Sequence, residues 1–153
     1  MTASHRVVTT ALTVACVLLV GAATIHGTGQ GPSEVNQQLA AARAATVQYH
    51  DFNNALAAGY TDLGSNPFED GRIEFVNFNL VNCSPDITRP AGLSYVTSGQ
   101  GLRLVGVEYS YAMVCGAPPE DFLPGVGEWE PEAGAPVWTK FVPLWSGNSL
   151  GSN

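Results

Sequence analysis

The apolar positions of this chain keep a helical rhythm up to residue 58 and a strand rhythm after it. In the stretch 101–111 (GLRLVGVEYSY), Leu102, Leu104, Gly106 and Glu108 alternate with Arg103, Val105, Val107, Tyr109 and Tyr111. A period of two over β-branched and aromatic residues predicts a strand, and one this rich in them a central strand. The alternation puts Glu108 on the face of Leu102 and Leu104, where a lone carboxylate is costly to bury. Upstream, Val35, Leu39, Ala42, Thr46, Tyr49 and Leu56 recur at spacings of four and three, with Asn53 filling the missing turn and Phe52 widening the stripe. This predicts one amphipathic helix over 34–58. Ser33 is its N-cap, Glu34 favours its first turn, and Gly59 ends it at C′. Alanines at 40–42, 44–45, 55 and 57–58 allow close packing on a sheet.

Strand patterning then covers 72–81 (RIEFVNFNLV), 93–97, 102–114 and 137–145 (VWTKFVPLW). Ser98-Gly99-Gln100-Gly101 is a tight connection, so the second and third strands form a hairpin. Pro143 marks an edge or a bulge. Residues 61–71, 82–92 and the acidic 117–136 read as loops rich in Gly, Pro, Asn and Asp. The fold class is α+β: one long N-terminal helix packed on an antiparallel sheet of about four strands. A cystatin-like or NTF2-like roll is the architecture to compare, by analogy of fold alone.

A chain of 153 residues, 45% of them hydrophobic, suffices for one domain with its own core. Six Lys and Arg against thirteen Asp and Glu give a net charge of -7, which phosphate backbones repel, so nucleic acid is excluded as a partner. No Gly-rich phosphate loop ending in Gly-Lys-Ser/Thr is present. His5 and Arg6 precede 19 uncharged residues, 7–25, with small residues at Gly21-Ala22-Ala23. Residues 1–26 therefore read as a secretory signal, with an uncleaved membrane anchor as the alternative because the run is long enough to span a bilayer. Either way the rest is exported, secreted or held in the cell envelope. Residues 27–33 form a linker, 34–145 the domain and 146–153 a flexible tail. In an oxidising compartment the two remaining cysteines, Cys83 and Cys115, favour a disulfide. Two cysteines with His50 or His26 would leave a zinc site incomplete, so no metal or other cofactor is expected.

Tyr49-His50-Asp51, Ala55-Leu56-Ala57-Ala58-Gly59-Tyr60, Phe75-Val76-Asn77, Asp86-Ile87-Thr88-Arg89-Pro90 and the LRLVGVEY run ending at Tyr109 resemble a family of exported, functionally uncharacterised bacterial proteins. Its pattern is A-x-G-Y, then G-M-G-x-H before V-N, then D-P-T-R-P, L-x-L-V-G-V-E-Y and L-H-V-W. The likeness runs in order through most of residues 44–145. Where the pattern has histidines in the first and last strands, this chain has Glu74 and Phe141. A metal or acid–base site built in relatives from those histidines and the V-E-Y glutamate would here be lost or rebuilt around Glu108.

Glu74 and Glu108, placed on adjacent strands, could share a proton as an acid–base pair, or hold a hard cation with oxygens from Asn77 or Asn79. The plain alternative is an ion pair of Glu108 with Arg72 or Arg103. His50-Asp51 is the second catalytic candidate, although neighbours in a helix do not face each other. Nucleophile motifs are absent. The leading expectation is a ligand-binding or interaction domain, with a pocket between helix and sheet bordered by Glu74, Glu108, Tyr109 and Phe141. Its partner would be a small molecule or a component of the cell envelope. The competing class is a degenerate or rebuilt metal-dependent or acid–base enzyme using Glu108, Glu74 and His50.

Overall fold

The computed structural model describes residues 32–62, 64 and 67–145. The 1–26 segment, most of the 27–33 linker and the 146–153 tail lie outside the described residues.

The helical part opens at Pro32, well inside the chain, and is not one continuous helix. Helix α1 spans Pro32–Thr46, a 3₁₀ turn follows at Val47–His50, and helix α2 spans Phe52–Ala57. Two side chains make the break. Thr46 Oγ1 donates back to the Ala42 carbonyl at 2.7 Å, a bond that competes with continued helix. Asp51 adopts an extended backbone and its Oδ1 accepts from Asn53 N at 3.0 Å, so it caps a new helix. The break lets Tyr49 and Phe52 both pack on the core. It also turns Leu56, expected on the buried stripe, out to solvent. Gly59 ends α2 as expected: at φ +88 it donates to Leu56 O while Tyr60 N donates to Ala55 O.

The strands are β1 (Thr61–Asp62), β2 (Arg72–Val76), β3 (Gly92–Ser98), β4 (Gly101–Ala112), β5 (Glu130–Pro131) and β6 (Val137–Pro143). They form a six-stranded antiparallel sheet in the order β1-β2-β3-β4-β6-β5. The fold is thus α+β, but with six strands rather than four. The additional pair, β1 and β5, are two-residue edges inside segments that read as loops. β2 is half as long as its patterning implies because Asn77 turns the chain. Its Nδ2 donates to Ala58 O at 2.9 Å, and its Oδ1 accepts from Asn79 N at 3.1 Å to start a 3₁₀ turn at Phe78–Leu80.

The hairpin β3–β4 forms as expected, with one irregularity that matters for the site. Ser94 pairs with Gly106 and Tyr95 with Leu104, so Val105 is an extra residue in β4. A bulge of this kind reverses the side-chain alternation beyond it. Leu102 and Leu104 therefore share the helix-side face with Val107 and Tyr109, while Gly106 and Glu108 face away. The expected placement of Glu108 beside Leu104 is wrong for that reason.

The core lies between the helices and the inner sheet face, built on Ala42, Ala55, Phe75, Leu93, Tyr95 and Leu104. Each large side chain so buried contributes about 1.5–3 kcal/mol. Buried tyrosines meet their polar need at backbone carbonyls: Tyr60 Oη donates to Pro90 O, Tyr95 Oη to Tyr49 O and Tyr109 Oη to Ile87 O, at 2.7–2.8 Å. Lys140, only 4% exposed, donates to Phe122 O and Leu123 O and pins the 117–129 segment over the same face. Cys83 and Cys115 form a disulfide with a Cα–Cα distance of 5.6 Å, joining the loop after β2 to the end of β4.

Candidate functional site

The outer sheet face is built differently. Arg72, Glu74 and Val76 of β2, Gly92 and Ser94 of β3, Gly106, Glu108 and Ser110 of β4, and Thr139 and Phe141 of β6 share it, by the pairing register. Glu74 pairs with Ser94 and Glu108 with Gly92, so the two glutamates stand on strands flanking β3, one step out of line. Gly92 closes the gap between them by having no side chain. A Cβ there would overlap Glu74 Oε1 and stand 2.9 Å from Glu108 Cβ. Both side chains converge over this glycine, and each carboxyl shifts the acidity of the other.

Glu74 and Glu108 are 6% and 9% exposed. As two ionised carboxylates they would have no donor between them, and Glu74 Oε1 is buried without a hydrogen-bond partner among the described residues. A proton on one carboxyl supplies the donor. Burial raises both groups above the ordinary carboxylate range. For Glu108, the charge and hydrogen bond of Glu74 and the charge of Glu132 add to burial, against a smaller opposing effect of Arg72, and push it up to about 10. Burial and the neighbouring charge of Glu74 thus favour the protonated form of Glu108.

The plain ion-pair alternative is not what forms. Arg72 Nε bonds to Asp70 Oδ2, and its guanidinium lies 3.9 Å over the Phe141 ring and 5.0 Å from that of Phe68. Arg103 is exposed on the far part of β4, and among the described residues neither arginine makes a salt bridge to Glu108.

Two adjoining cavities open on this face and share Glu108, Glu132 and Thr139. One, of about 410 Å³, has Glu74 and Glu108 at its floor and an apolar wall of Val76, Phe78, Val81, Pro136 and Val137. The other, of about 330 Å³, is lined by Phe68, Arg72, Phe141 and the carboxylates Glu128, Glu130 and Glu132. Glu132 sits on the rim, where Thr139 Oγ1 donates to its Oε2 at 3.5 Å.

Among the described residues the space between helix and sheet, where the pocket was expected, is filled by core. The structure brings Glu74, Glu108 and Phe141 together and leaves the other candidates elsewhere. Tyr109 is 1% exposed on the inner face, bonded to Ile87 O and packed on the Phe122 ring. His50 is exposed on the helix side, its ring 4.6 Å from that of Trp145, and cannot act with the carboxyls across the sheet. Asn77 spends both ends of its amide on Ala58 and Asn79, holding the turn that ends β2. No group of three His, Cys, Asp or Glu residues converges as a metal site among the described residues. Gly92, Ser94 and Glu132 were not legible as site residues; Glu132 had only its membership of the acidic 117–136 loop as a signal.

No protein-family model matches the chain, and no curated protein or solved structure matches it.

Proposed function

We propose that this chain is an exported, disulfide-stapled domain that binds a small amphipathic molecule in the outer-face cavity. The polar end would rest on the Glu74–Glu108 pair and the apolar body along Val76, Phe78 and Val137. The observation behind this reading is a cavity of about 410 Å³ whose apolar wall converges on two buried carboxyls raised above the ordinary carboxylate range. Apolar concavities with few convergent polar groups of perturbed acidity are where small molecules bind. The apolar 7–25 segment and the cysteine pair support export. A cystatin-like or NTF2-like roll is the proposed architectural analogy for the helix-on-sheet half.

Native mass spectrometry of the full chain purified from its own host, compared with Ser110→Trp, tests this. Ser110 is buried on the cavity lining, so an indole there fills the space. A bound species, or added 1-octanol, retained by the wild type and lost from a Ser110→Trp protein that still folds supports the reading. Equal occupancy of the two proteins contradicts it.

A second reading, an acid–base catalyst, is favoured by the shared proton itself, since such a pair can give one proton and take another. Recovery of a chemically altered ligand from wild type but not from Glu108→Gln would favour it over binding alone.

A further inference from the structure

We infer that the polar end of the ligand is an organic ammonium ion on an apolar body, taken up in exchange for the proton that Glu74 and Glu108 share. This rests on the binding reading above and names its ligand class. The first support is the charge around the cavities. Glu74, Glu108 and Glu132 face the larger one, and Glu128 and Glu130 join Glu108 and Glu132 around the smaller. From the strands and segments packed against them come Arg72 on β2, Ser94 on β3, and Thr139 and Phe141 on β6. Arg72 is the one cation among these, and it is engaged by Asp70 and by two aromatic rings. Lys140 on β6, the one lysine of the sequence, points to the opposite face and is held by two carbonyls. The site is left with uncompensated negative charge.

The second support is independent of that count. Glu74 is more than nine-tenths buried and lines the larger cavity, and once the shared proton leaves, its carboxylate faces that of Glu108 with no protein donor on its Oε1. Such an acceptor calls for a donor, and an ammonium group has three N–H donors and no acceptor. The apolar wall opposite selects for hydrocarbon attached to that group, and among the described residues no three metal-ligating side chains converge closely enough to hold a bare divalent cation. In the uptake step the free pair carries one proton and one negative charge. The ammonium arrives with its positive charge, the shared proton leaves to solvent, and both carboxylates then accept N–H bonds. No covalent bond changes.

Titration calorimetry of the full chain at pH 7 with octylammonium chloride and with 1-octanol, each in phosphate and in Tris, tests this. Buffers of different ionisation enthalpy report protons released. Octylammonium should bind about tenfold or more tighter than octanol, releasing about one proton per ion bound. Glu108→Gln should abolish the release, because the amide stands in for the protonated acid and has no proton to give up. Glu132→Gln, on the exposed rim, should weaken the ammonium severalfold and leave octanol unchanged. Octanol binding as tightly as octylammonium would overturn the inference while leaving the pocket standing. Octylammonium binding without proton release, or unaltered in both variants, would overturn it too. Binding of neither compound would remove the pocket reading along with the inference.

Discussion

Gly92 creates the site by leaving a hole in the middle strand through which glutamates of two other strands touch. Gly92→Ala would place a methyl against Glu74 Oε1 and Glu108 Cβ, and overpacking of this kind costs about 1–3 kcal/mol. Urea unfolding at pH 7 should show that loss, and an unchanged midpoint would mean that the carboxyls do not meet there. The pair also fixes a sign for the pH dependence. Glu108 is raised in the folded state from its ordinary value of 4.5 to about 10, so between those limits the native protein holds a proton that the unfolded chain has released. Stability should therefore be fully present below pH 4.5, as far as this group decides it, and decline as pH rises toward 10. Glu108→Gln, which mimics the protonated acid, should flatten that decline in melting temperatures measured from pH 5 to 9. Of this arrangement Glu108 was legible as a misfit in strand patterning, and Glu74 as a departure from the pattern of the family the chain resembles. Their contact was not, because it depends on a register between strands some thirty residues apart in the chain and on a glycine that read as the end of a loop.

Short polar side chains decide where the elements stop. Asp51 restarts the helix, Asn77 ends β2, and Asp86 turns its loop by accepting from Thr88 N and Oγ1, bonds that hold its carboxyl below the usual range. Periodicity does not register such breaks, so the helix and the first strand were each expected too long. The bulge at Val105 is invisible for a similar reason: an alternating pattern stays plausible on either side of an inserted residue. The buried Tyr109 hydroxyl ties the 86–90 loop to the sheet through Ile87 O. Tyr109→Phe should cost about 1 kcal/mol in denaturant unfolding and increase hydrogen exchange in that loop; a neutral effect would mean that solvent replaces the bond. The disulfide spans 32 residues, and in the chain-entropy account closing such a loop stabilises by about 3 kcal/mol. Replacing Cys83 and Cys115 by Ser together should lower stability by that order without emptying the cavity, whose walls contain neither residue.

Across the molecule the two sheet faces have separate work. The inner face is closed by helices and by the 117–129 segment that Lys140 holds, and its composition, rich in Ala, Leu and Tyr, is that of a packed core. The outer face keeps the carboxyls, the glycines and the open volume. Patterning indicated a helix on a sheet with a buried glutamate, and it put the pocket in the layer that proved to be solid. The account depends most on one physical state, a proton held between Glu74 and Glu108 at neutral pH. Carbon-13 NMR of the full chain labelled at the glutamate carboxyls, titrated from pH 5 to 10, observes that state directly. The account predicts carboxyl signals of a protonated pair that persist through pH 7, disappear on Glu108→Gln and titrate only in the alkaline range. Glutamate signals that are all fully ionised by pH 7 would contradict it.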